Sequence, residues 1–297
     1  MAYRSAPIVE DVIWRSHLPS EMPSLAAAVR ATIAKTREHL LDFIRLDETP
    51  VPGAMTLHEW TQPTTLSSLL AVYSDHIYRN QPTLPRENKP LISLWAQWYI
   101  GLMMPPLMVA LLTQKEAIDV SPEHMHVEFH ETGRAACFWI DVHQDHLATA
   151  LSPQQRMETL ILSALTPVVQ ALEATGEINA KLIWSNTGYL IHWYLTEMKP
   201  LLGEELLTTL RQTCFFEKQL SCGQDNPLWR TVVPREGLLV RRTCCQRYRL
   251  PDVQQCGDCT LKYARSRSPS PDIYATCWFS SSIRCASSFS CANSCFS

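Results

Sequence analysis

Apolar residues recur every three or four positions along most of the chain, which is the spacing of amphipathic α-helices. The clearest case begins with a capping residue at Ser152, places Pro153 at the first helical position and stops before Gly176. The pattern therefore predicts a mainly helical protein. The predicted helices cover residues 23–46, 66–78, 152–174, 180–202 and 204–218, with a break between the last two at Pro200 and Gly203.

The most apolar segment runs from Leu91 to Thr113 and is long enough to cross a membrane. It contains Gln97 and the adjacent prolines Pro105 and Pro106, which favour a buried segment of a folded domain. We expect two buried helical pieces on either side of a proline break. A peripheral position at the inner face of the cell membrane stays open as an alternative.

The hydrophobic period changes to two between Glu123 and Val142, around the sequence His130-Glu131-Thr132-Gly133. Alternation on both sides of a glycine-containing turn predicts a β-hairpin. One face of its first strand carries the polar side chains of His124, His126, Glu128 and His130. Such a face is either exposed to solvent or able to bind a metal ion.

These elements predict an α+β fold, mainly helical, with a β-hairpin or small antiparallel sheet and a small C-terminal cysteine segment that includes one short strand at residues 236–243. We expect a helical core at 1–225 and a metal-binding segment at 226–262. The serine-rich residues 263–297 lack helical or strand periodicity and are expected to be disordered.

Composition narrows the function classes. The chain has 26 basic and 29 acidic residues, a net charge of −3, so it lacks the positive field that nucleic-acid binding needs. Its N-terminal residues carry charges of both signs without the apolar core of a signal peptide, which predicts a cytoplasmic protein. In that compartment clustered cysteines serve metal binding or redox chemistry more often than structural disulfides.

Four such cysteines occur near the C-terminus: Cys244 and Cys245 are adjacent, and Cys256 and Cys259 follow ten residues later. Gly257 permits a tight turn that would aim the second two sulfurs at one metal. Adjacent side chains of an extended strand point to opposite faces, so the first two share a centre only if the backbone turns. Spacing alone supports zinc and iron–sulfur centres equally and leaves a redox disulfide or free thiols open.

This block, with the stretches "LWAQWYIGLMMPPLM" and "VEFHETGRA", resembles the ferric-siderophore reductase family. The resemblance implies a [2Fe–2S] cluster held by Cys244, Cys245, Cys256 and Cys259. It also implies one-electron reduction of Fe(III)-hydroxamate siderophores, with release of Fe(II) and an electron-donor protein as partner. A monomer is expected.

The resemblance suggests roles for other side chains near these motifs. Arginines around the cysteines could tune the cluster potential or dock an acidic donor, or form an ordinary solvated surface; these are Arg241, Arg242, Arg247 and Arg249. The hairpin histidines His124, His126 and His130 could contact the siderophore. Two other functions stay open: a zinc-stabilised, non-catalytic interaction module, and a relative of siderophore-synthesising enzymes, although the chain shows no phosphate-binding glycine loop.

Overall fold

The computed structural model describes residues 23–235, 237–256 and 259–261. Helices dominate, so the predicted mainly helical α+β class is confirmed. The α-helices are α1 Leu25–Arg37, α2 Leu57–Trp60, α3 Pro63–Ile77, α4 Asn88–Thr113, α5 His146–Thr149, α6 Pro153–Thr159, α7 Thr166–Glu173, α8 Ala180–Glu197 and α9 Lys199–Phe216. The strands are β1 Ile44–Leu46, β2 Met55–Thr56, β3 Ala117–Ile118, β4 Met125–Phe129, β5 Ala135–Ile140, β6 Gln144–Asp145, β7 Val232–Arg235 and β8 Leu238–Arg241.

Helix α4 forms the centre of the core, and nearly all of its residues are buried. It is one continuous helix, so the predicted proline break is wrong, although the predicted burial is confirmed. Pro105 and Pro106 remove two backbone donors, and the helix persists because tertiary packing surrounds it. In the described part of the chain it is the one helix long and apolar enough to cross a membrane, and 83% of its most apolar window is buried inside the protein.

A four-stranded sheet with the order β1-β5-β4-β2 packs beside this helix. The predicted hairpin is confirmed as β4 and β5, and its turn is fixed by a hydrogen bond from Trp95 Nε1 to the Gly133 carbonyl. Gly133 has a φ of +78°, and a side chain there would overlap the backbone of Leu69. The helix predicted for residues 23–46 ends early, since Ile44–Leu46 pairs in parallel with β5.

The helix predicted from Ser152 is present with its cap: Ser152 accepts a hydrogen bond from the Gln155 amide, and Gln155 returns one to the Ser152 amide. An unpredicted π-helical turn, Leu160–Leu165, separates α6 from α7. Helices α8 and α9 are both present, but the first ends at Glu197 and the second begins at Lys199, before the predicted break. The predicted break remains as a non-helical Gly203 inside α9.

The last sheet, β7 and β8, carries the chain into the cysteine block. Sequence reasoning predicted one strand here and missed β7, which is short and contains Pro234. The hairpin reaches α8 at Gly188, where a side chain would overlap that of Thr231. This contact holds the start of β7 against α8, and β8, which ends at Arg241, pairs with β7. The tail predicted to be disordered lies outside the described residues.

Candidate metal centre

The four thiols of the cysteine block lie together as two close pairs. The sulfur of Cys244 is 3.8 Å from that of Cys259, and the sulfur of Cys245 is 3.8 Å from that of Cys256. Cys244 is half-buried, whereas the other three are buried. The block therefore places four potential ligands in one largely dehydrated position with a single partly open edge.

The spacing of the sulfurs discriminates between kinds of metal centre. Two thiolates on one tetrahedral metal, with bonds of about 2.3 Å, lie about 3.8 Å apart, as in both pairs. A single zinc ion would need all four sulfurs this close, yet among the described residues no three cysteine sulfurs lie within 4.8 Å of one another. Two separate pairs fit a binuclear cluster, with two thiolates on each iron.

The pairing crosses the block. Each thiol of Cys244-Cys245 lies beside one thiol of the second pair, which favours a different pairing from the expected chelate of Cys256 and Cys259. That Cys256 and Cys259 aim at one metal stays a prediction. The backbone turns after Cys245, where Gln246 adopts a left-handed conformation with φ 66°, and the Gln246 amide donates to the Cys244 sulfur over 3.3 Å. This turn lets the two adjacent thiols, which also interact with each other, each lie closest to a different thiol of the second pair.

Arg241 is the charged group built most closely into this centre. Its side chain is 2% exposed, and its Nη2 donates to the Cys256 sulfur over 3.1 Å. Hydrogen bonds from the Cys244 and Cys256 thiols lower the pKa of Cys245, and the positive charge of Arg241 adds to this effect. The hydrogen bond to Cys245 and burial raise the pKa of Cys244, so the arrangement favours the thiolate form, which binds metals, at Cys245.

Comparison with known proteins agrees with this geometry. Residues 93–239 match the family described as ferric iron reductase FhuF-like transporter, and residues 241–261 match the FhuF 2Fe-2S C-terminal domain. A protein of Escherichia coli (strain K12) named ferric siderophore reductase is 77% identical over 262 residues, which are 88% of this chain and all of that protein. The chain belongs to the FhuF family. The resemblance drawn from the sequence is confirmed, and the FhuF cofactor is a [2Fe–2S] cluster.

The FhuF core holds the cysteine block through buried polar side chains that sequence reasoning missed. Ser93 on α4 donates to the Cys245 carbonyl over 2.9 Å, and Asn186 on α8 donates to the Ser93 hydroxyl over 2.9 Å. The Asn186 carbonyl oxygen accepts from Arg241 Nη1 over 3.2 Å. Polar residues inside otherwise apolar helices were the available signal, because a buried polar group needs a partner.

The outer side of the block is tied to the loop between α3 and α4. Arg249 forms an ion pair with Glu87, while Asp252 accepts hydrogen bonds from Asn80 and Gln81 over 3.1 and 3.2 Å. These contacts anchor the block at a second place. Arg249 is therefore engaged in the anchor.

The predicted arginines thus have different surroundings. Arg241 is buried against Cys256, Arg242 is exposed, Arg247 is half-buried and Arg249 is ion-paired. The buried position of Arg241 suits tuning of the cluster potential, and the exposed position of Arg242 suits docking of an electron-donor protein. Both roles stay predictions.

The predicted hairpin histidines spread along β4 and do not form one group. His124 is half-buried before the strand, His126 is half-buried within it, and His130 is exposed in the turn. Six residues of extended chain span about 20 Å, so His124 and His130 lie at opposite ends. Contact with a siderophore stays a prediction for all three.

Proposed function

We propose that this chain reduces ferric hydroxamate siderophores by one electron, which releases Fe(II). The observation that carries the proposal is the pair of 3.8 Å sulfur contacts within residues that match the 2Fe-2S domain. The E. coli relative is named a ferric siderophore reductase, which supports the same activity here. Hydroxamate oxygens are hard ligands that hold Fe(III) far better than Fe(II), so one added electron is enough to free the metal.

The proposed ligands are Cys244 and Cys259 for one iron and Cys245 and Cys256 for the other. Bound there, the [2Fe–2S] cluster supplies single electrons at a potential that its surroundings set. Arg241 holds the Cys256 sulfur with a charge-assisted hydrogen bond, which stabilises added negative charge.

We propose that electrons enter and leave through the Cys244 edge. Cys244 is the partly exposed thiol, and its neighbours Arg242, Thr243 and Tyr248 are exposed. A ferric siderophore and an electron-donor protein can both reach this surface. We further propose a cytoplasmic monomer, associated at most with the inner face of the membrane, with a core at 1–225 and a cluster-binding segment at 226–262.

The test is the visible spectrum of the anaerobically purified full chain, with its iron, sulfide and zinc contents. We expect about two irons and two sulfides per chain, bands that bleach with dithionite, and recovery of the bands when a ferric hydroxamate is added. Recovery should be accompanied by Fe(II) trapped by a ferrous chelator. A colourless protein with one zinc per chain would instead support the structural module.

The variant Cys256→Ser should lose or distort the cluster and lose siderophore reduction together. Cys222→Ser is the matched control, because Cys222 is an exposed thiol outside the block. An unchanged rate in Cys256→Ser would defeat the mechanism. ATP-dependent condensation activity would support the biosynthetic alternative.

A further inference from the structure

A second group of metal-ligating side chains lies outside the cysteine block, where the ends of four short strands meet. It consists of His124, Asp141 and His143, whose ligand atoms all lie within 4.8 Å of one another. His124 precedes β4, Asp141 follows β5 and His143 precedes β6. Asp119, just after β3, borders the same group.

Backbone hydrogen bonds fix the relative positions of these residues. The Asp141 amide donates to the His124 carbonyl over 2.9 Å, and the Asp119 amide donates to the His143 carbonyl over 2.8 Å. Asp47 accepts from the Val142 amide over 2.7 Å and so holds the segment between Asp141 and His143. The group therefore rests on paired backbone rather than on a free loop.

The side chains are already directed toward one another. His143 Nε2 lies 2.8 Å from Asp141 Oδ2, His124 Nε2 lies 3.6 Å from Asp119 Oδ2, and the two imidazole rings are 4.4 Å apart. Ser121 donates to Asp119 Oδ1 from its amide over 2.8 Å and from its hydroxyl over 2.5 Å. Burial works to raise the pKa of Asp119, but these Ser121 hydrogen bonds and the two histidines bring it below the usual value.

We propose that His124, His143 and Asp141 bind one divalent first-row transition-metal ion, with Asp119 as the residue that orients His124. Two imidazoles and one carboxylate suit Zn²⁺ and Fe²⁺, since both accept mixed nitrogen and oxygen ligands. The group is partly exposed, so an ion can reach it and water can complete its coordination. Without a metal, the same residues would be two ordinary surface ion pairs.

Two sources could supply the ion. The proposed reaction releases Fe(II), and this part of the inference rests on the proposed function. Zinc would bind independently of that reaction. Separate measurements with Zn²⁺ and with anaerobic Fe²⁺ distinguish the two, and the order of affinities of divalent metals predicts tighter binding of zinc.

The experiment is equilibrium dialysis of the cluster-containing full chain against each ion, followed by elemental analysis. The compared proteins are the unchanged chain, His143→Gln, Asp141→Asn and the control His126→Gln, which alters a neighbouring hairpin histidine outside the group. Thiols elsewhere contribute equally to all four, so the differences between them report this site. The cluster absorption per chain verifies that each variant is folded.

We expect the unchanged chain and His126→Gln to bind one more ion per chain than His143→Gln. The affinity of this site should be at least tenfold lower in His143→Gln and in Asp141→Asn. Equal uptake by His143→Gln and the unchanged chain would overturn the proposal. So would a loss seen in His126→Gln alone, because it would move the metal to another part of the hairpin. Binding of Zn²⁺ but not of Fe²⁺ would support the metal site and would exclude the proposed reaction as the source of its ion.

Discussion

Replacement of Arg241 tests whether the buried guanidinium sets the potential of the cluster. Reduction adds one negative charge, and Arg241 donates to a proposed ligand, the Cys256 sulfur, at 3.1 Å. We therefore expect Arg241→Gln to lower the midpoint potential, because the reduced state loses more stabilisation than the oxidised state. Arg241→Lys keeps the charge but not the planar fork of donors. Its midpoint potential should therefore lie between those of the unchanged chain and Arg241→Gln.

The size of the effect follows from the distance. The added electron would lie roughly 5 Å from the guanidinium, if the hydrogen bond to the Cys256 sulfur is followed by a metal–sulfur bond of about 2.3 Å. At an effective dielectric constant of about 20, the attraction between two unit charges at this separation is about 3 kcal/mol. For one electron that energy corresponds to about 130 mV.

The assay is an anaerobic redox titration followed by visible absorption and by the electron paramagnetic resonance signal of the reduced cluster. Arg242→Gln is the matched control, because that exposed side chain is screened by water and salt and should shift the potential by only about 20 mV. If Arg241→Gln keeps its full iron content and shifts the potential no more than Arg242→Gln, the tuning role is refuted.

Three further changes test the pairing of the cysteine ligands, the packing of the β7–β8 hairpin on α8, and a half-buried histidine. Serine oxygen is a harder ligand that favours Fe(III), and Arg241 would make the iron held by Cys245 and Cys256 the easier one to reduce. Cys256→Ser should therefore lower the potential more than Cys259→Ser wherever both retain cluster; equal shifts in redox titration would contradict the proposed pairs. Gly188→Ala would force a methyl group onto Thr231 and should reduce the free energy of unfolding by about 1–3 kcal/mol in denaturant titrations; an unchanged midpoint would show that β7 and α8 do not meet closely. Burial lowers the pKa of His192 to about 4, below its unfolded value, so stability is complete above about pH 6.5 and falls by about 1.3 kcal/mol between pH 7.5 and 5.5. His192→Gln should remove most of that slope, and a slope equal to that of the unchanged chain would assign it to other groups.

Local signals in the sequence predicted the elements that local interactions decide. The cap at Ser152, the alternation around Gly133 and the break near Gly203 all appear where expected. Long-range contacts decided the failures. Ile44–Leu46 continues a helical pattern but becomes a strand because Phe138–Ile140 offers it a parallel partner. The proline pair in α4 stays helical because nearly the whole helix is buried.

The same division applies to the site. The spacing of the cysteines and the family resemblance indicated four thiols and their cofactor, since those ligands are close in sequence. Spacing could not give the crossed pairing, because it depends on the left-handed Gln246 and on how the block folds back. Nor could it indicate Ser93 or Asn186, which reach the block from helices far away in the chain.

The crossed pairing has a mechanical consequence. Each proposed iron would join two points of the chain, 15 residues apart for Cys244 and Cys259 and 11 apart for Cys245 and Cys256. A cross-link of such a span removes about 3 kcal/mol of chain entropy from the unfolded segment. Cluster assembly would therefore add two cross-links to the C-terminal segment, while the helical core is stabilised by its own apolar packing. We expect a chain that loses its cluster to open first at this segment, so that the supply of iron and sulfide governs how long the reductase survives proteolysis.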